Sequence, residues 1–123
     1  MRVSYIELLG EKHPLCFSLS ATEEIVAEFG GTEQMTDAIT GADVLSKMRA
    51  VDKVLDILLR AGRRYCAAAG LEMPEKPLGC RPADVMDVSD PSAVQAIFST
   101  ISSDSVRTIT AAPKNAEPTR GAP

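Results

Sequence analysis

The sequence lacks tryptophan altogether and carries only three Phe, two Tyr and one His in 123 residues. Any core must therefore rest on Leu, Val, Ile, Met and Ala. A basic excess is also missing: 13 Lys and Arg stand against 17 Asp and Glu, for a formal net charge of −4. Nucleic-acid binders present a dense basic face, so that class is set aside. No window approaches the roughly 18 uninterrupted apolar residues of a membrane span. Met1–Gly10 holds one Arg and then Glu7 in a short apolar run, unlike the longer uncharged stretch of a signal peptide. Cys16, Cys66 and Cys80 are odd in number and widely spaced. They do not read as a disulfide framework, and a reducing cytosol is the better match. Walker loops, dinucleotide-binding glycine fingerprints, nucleophile elbows and internal repeats are all absent.

What is present fits one globular domain, long enough to bury roughly two-thirds of its unfolded surface without staples. Arg2–Leu9 and Pro14–Leu19 read as two strands, rich in β-favouring residues such as Val3, Tyr5, Ile6 and Phe17. Gly10-Glu11-Lys12 reads as the turn between them. Val3 and Tyr5 fall on one face of the first strand, Ile6 and Leu8 on the other. Either both faces are covered or a bulge lies near Tyr5. Ser20-Ala21-Thr22-Glu23 fits a capping box that opens a helix over Ala21–Phe29. In it Ile25, Val26 and Phe29 point inward, while Glu23, Glu24 and Glu28 face solvent. Gly30-Gly31 reads as a helix stop rather than a phosphate cradle. Thr32–Ile39 carries a weaker signal for a further helical turn or two.

The strongest element runs from Gly41 to Ala69 without a proline. Val44, Met48, Val51, Leu55, Leu58, Gly62 and Tyr65 recur at spacings of four and three, a seam along one helix face. Leu45, Val54, Ile57, Leu59 and Ala61 widen it. Asp52 and Asp56 form a like-charge i,i+4 pair, and Asp56 and Arg60 a favourable one. Arg60, Arg63 and Arg64 suit the C-terminal end of the dipole, or an acidic partner. At about 1.5 Å per residue the helix spans roughly 40 Å. Leu71–Arg81 reads as a linker, broken by Pro74, Pro77 and Gly79. Pro82–Val88 reads as a short helix with Val85, Met86 and Val88 buried. Asp90-Pro91 opens another helix, which aligns Val94, Ile97, Phe98 and Ile101 and ends near Val106. Ala111–Pro123 has no large apolar residue and three prolines, the composition of a disordered tail.

The fold class predicted is α+β: an N-terminal β-hairpin, a mainly α-helical body with one long central helix, and a disordered C-terminal tail. Residues 1–110 form one domain, with the hairpin at 2–19 and the helical body at 20–108, and 111–123 form the tail. His13 and Cys16 make a lone H-x-x-C pair, with only distant Cys66 and Cys80 to complete a zinc site. A loop His beside a buried strand Cys is the plainer reading, and neither a metal, a cofactor nor a catalytic residue is expected. The notable feature is surplus apolar surface on the long helix, which marks a partner or self-association surface unless the core fills it. Met35, Met48 and Met86 are flexible enough to adapt to varied segments, or simply fill the core.

A short strand, a Gly-Glu-Lys turn and H-P-L-C-F-S-L lead into S-A-T-E-E-I-V-A-E-F-G-G. Then come I-L-L-R-A-G-R-R-Y-C-A-A-A-G and A-D-V-M-D-V-S-D-P-S-A-V-Q-A-I-F. Over about residues 2 to 105 this arrangement resembles the small tail-assembly chaperones of long-tailed bacteriophages and prophages. The resemblance implies a non-enzymatic helper in the cytoplasm of the bacterial host. Such a helper coats the tape-measure protein, a very long helical chain, and keeps it soluble until tail-tube subunits polymerise around it. The tape-measure protein is thus the implied partner, with the tail-tube protein a second candidate and a homo-oligomer the expected state. Neither nucleic acid nor membrane is implied. A longer frameshifted form is common in the family, and the Pro- and Ala-rich end from Ala111 suits such a junction. Val44, Met48, Val51, Leu55 and Leu58 are the candidate partner-binding residues, shared between core and groove. The alternatives are a structural minor tail or connector subunit of the particle, and a small enzyme or a metal-dependent regulator.

Overall fold

A two-residue turn sets the register of the first two strands. Leu9 and Gly10 both have positive φ, 53° and 80°, the pattern of a type I′ hairpin turn, whose twist matches that of the flanking strands. It joins β1 (Val3–Leu8) to β2 (Glu11–Cys16), which pair antiparallel without a break from Leu8 opposite Glu11 to Val3 opposite Cys16. The turn is therefore one residue earlier and tighter than the Gly10–Lys12 turn predicted. The second strand is Glu11–Cys16 rather than Pro14–Leu19, because Ser18 is taken up as a helix cap. His13 accordingly lies in a strand and not in a loop. Of the two arrangements open for β1, coverage of both faces is the one observed: Val3, Ser4, Ile6 and Leu8 are all buried.

The computed structural model describes residues 3–87 and 90–102, and the backbone of 107–110. α1 (Leu19–Phe29) starts two residues earlier than predicted. Its cap is Ser18, whose Oγ accepts from the Ala21 N–H at 3.2 Å, so Ser20 lies inside the first turn. Ala21 and Ile25 are buried, whereas Val26, predicted to face inward, is exposed. Gly30 closes α1 at φ 98°, donating its N–H to the Val26 carbonyl, as the helix-stop reading requires. α2 (Thr32–Ile39) is a full eight-residue helix that buries Met35 and Ile39.

α3 (Val44–Ala69) is the long central helix, capped by Asp43 and closed by Gly70 at φ 73°. After an irregular segment, Pro82–Asp84 forms a single 3₁₀ turn, shorter than the helix predicted there. Met86 is buried and Val85 half-buried; Val88 lies outside the described residues. α4 (Ser92–Ser102) is capped by Asp90, whose Oδ1 accepts from the Ser92 N–H at 2.9 Å. Its buried face is centred on Ala93, Ala96, Ile97 and Thr100. Val94, Phe98 and Ile101 flank that face, half-buried, because small residues allow the closest approach to the sheet.

Arg107–Thr110 is a strand, β3, and not the end of the helical body. It lies parallel to β1, from Ser4 opposite Arg107 to Glu7 opposite Thr110, giving a three-stranded sheet in the order β2-β1-β3. Three of its four residues are β-branched, which favours a strand over a helix. The tail predicted over 111–123 lies outside the described residues. The architecture is α+β, with the hairpin and long helix where the sequence puts them.

α3 packs chiefly on β2, and the tightest point is Gly62. A Cβ there would sit 2.1 Å from the Pro14 carbonyl oxygen and 2.9 Å from the Leu15 nitrogen, so helix backbone meets strand backbone. Neither neighbour is a flexible side-chain end. Gly62→Ala is therefore expected to destabilise by about 2–4 kcal/mol in urea denaturation, although alanine alone would favour a helix by about 1 kcal/mol.

Candidate binding cleft

The sequence motifs with chemical potential are not brought together. His13 and Cys16 are three residues apart on one strand, so their side chains leave opposite faces of the sheet. His13 is paired with Ile6, and Cys16 with Val3. Cys66, on α3, approaches the Cys16 side of the sheet, where the Tyr5 hydroxyl lies 3.9 Å from its sulfur. Tyr5 also donates to the Glu72 carbonyl at 2.8 Å, tying β1 to the chain beyond α3. Burial, then the neighbouring Cys66, push the Tyr5 hydroxyl up to about 12. Burial likewise raises both the Cys16 and Cys66 thiols, which disfavours the thiolate a nucleophile needs. Among the described residues, no three His, Cys, Asp or Glu side chains gather as a metal site requires. Among them, too, no helix is long and apolar enough to cross a membrane.

The arginines near the end of α3 are tied into the fold. Arg60 pairs with Glu24 at 2.9 Å and Asp56 at 3.0 Å, and Arg64 reaches Glu24 at 3.6 Å. Lys53 pairs with Glu28, extending the same zip between α1 and α3. Arg63 donates to the carbonyls of Pro74 and Glu75, holding the 71–81 segment against the helix.

A mainly apolar cleft of about 410 Å³ lies along the first half of α3. Ile39 and Thr40, at the end of α2, form one part of it. Lys47, Met48, Val51, Asp52 and Leu55 come from the first half of α3. Pro82, Ala83, Met86 and Asp87 come from the 3₁₀ turn and its sequel, and Asp90, Pro91, Ala93 and Val94 from the segment that opens α4. Its floor is Ile39 and Leu55, both fully buried. A wider depression beside the hairpin tip has a mixed lining, with Glu7, Glu11, Lys12 and Glu72 beside Tyr5, Leu71, Met73 and Pro74.

Of the five candidate partner-binding residues, Met48, Val51 and Leu55 line the cleft together. Val44 is 60% exposed and stands one turn before Met48. With Leu45, also exposed, it extends the apolar surface past the cleft. Leu58 is wholly buried in the core and does not line the cleft. The helical seam could not separate it from the others, because periodicity gives a direction around the axis and not a depth along it. Asp52 was missed as a cleft residue: in sequence it registers only as a repulsive partner of Asp56. Met86 contributes to the wall, and Met35 is core filling, fully buried on the inner face of α2.

Comparison with known protein families, curated proteins and solved structures finds no match for the chain.

A second, smaller cavity isolates His13 beside Arg63, Arg60, Asp56 and Cys80. Burial lowers the His13 pKa, Arg63 lowers it further, and Glu11, 3.8 Å away, only partly opposes them. Between that lowered value and 6.5, the unfolded chain binds more protons than the native one. Stability is thus fully present above pH 6.5 and is lost as pH falls through the window below it. His13→Gln should flatten the His-dependent part of this loss in urea titrations between pH 7 and 5. An unchanged slope would show that other groups carry it.

Proposed function

We propose that this chain is a tail-assembly chaperone of a long-tailed bacteriophage or prophage, acting in the host cytoplasm without catalysis. The observation that carries the reading is the apolar cleft on the first half of α3, continued outward by exposed Val44, Leu45 and Met48. An amphipathic helix seats its apolar face in such a groove through anchors three and four residues apart. The tape-measure protein is a long succession of such helices, and the tail-tube protein is the natural second contact when the helper is displaced. Met48 and Met86, unbranched and polarisable, let one groove accept varied side chains. Self-association through the same exposed helix end accounts for a homo-oligomer, in which the groove is shielded until a client arrives.

The test is co-expression with the tape-measure protein of the same gene cluster, followed by affinity capture and mass spectrometry. The native chain should recover the long protein and keep it soluble. Met48→Glu should weaken capture at least about tenfold, since it places a charge in an apolar contact. Its fold should survive, because Met48 is 36% exposed. Leu55 is unsuited to this test, being part of the core. Undiminished capture by Met48→Glu would remove the cleft from the reading. Recovery of the chain from purified particles would favour a minor tail or connector subunit instead.

A further inference from the structure

We draw no further inference here: the strongest candidate, the exposed apolar end of α3 at Val44, Leu45 and Met48 beside the cleft, belongs to the site already described, and nothing in the structure shows what covers it.

Discussion

The Pro14 carbonyl occupies the space that a side chain at position 62 would need, and the rest of the molecule is arranged around that approach. With backbone against backbone, α3 lies close enough to β2 to bury Leu55, Leu58, Ala61 and Cys66 in succession. From Val54 to Cys66 the helix is enclosed on most sides, with Asp56, Arg60 and Arg64 exposed along one face, and Ala67, Ala68 and Ala69 are exposed beyond it. The first half cannot be enclosed in the same way. A 26-residue helix is about 39 Å long, and the sheet has only six-residue strands to set against it. Val44, Leu45 and Met48 consequently project past the core, and the cleft forms where α2, α4 and the 3₁₀ turn close in beneath them.

Polar chemistry is used for fastening throughout. Tyr5 ties β1 to Glu72, Arg63 holds Pro74 and Glu75, and Glu24 joins Arg60 and Arg64 across two helices. Each is modest alone, since exposed ion pairs contribute roughly 0–1 kcal/mol. Their common effect is to fix the register of segments that have little apolar surface of their own. His13 and the two buried thiols are similarly enclosed, with their neutral forms favoured. The cleft on the first half of α3, by contrast, is lined mainly by apolar side chains.

Local signals in the sequence were legible where the chain itself supplies the physics. Gly30 and Gly70 stop helices because they take positive φ, and Asp90-Pro91 opens α4 because the Asp90 carboxylate accepts from the Ser92 N–H. The central helix and its wide apolar surface followed from spacing alone. The misses share a cause, which is competition between neighbours. Ser18 and Ser20 are equally good caps in sequence, and packing of Ala21 and Ile25 selects Ser18. Val26 and Ile25 are equally apolar, and only the position of α3 decides which is buried. Within the cleft, Met48 and Val51 could be read from the seam. Asp52 could not, because its partners lie in a turn about thirty residues away and no local rule pairs them.

The parallel pairing of β1 with β3 has a temporal consequence. It joins residues about a hundred positions apart, nearly the span of the domain, and such long closures are reached slowly. The hairpin, α1, α2 and α3 can assemble as soon as they leave the ribosome, since their contacts lie within the first half of the chain or just beyond it. One edge of β1 then waits, with its amides and carbonyls unpaired, for a strand that is synthesised last. An unpaired edge is a template for pairing with any passing extended chain. The nascent protein therefore passes through a stage in which it is itself a candidate for the kind of protection a chaperone gives, and completion of the sheet ends that stage.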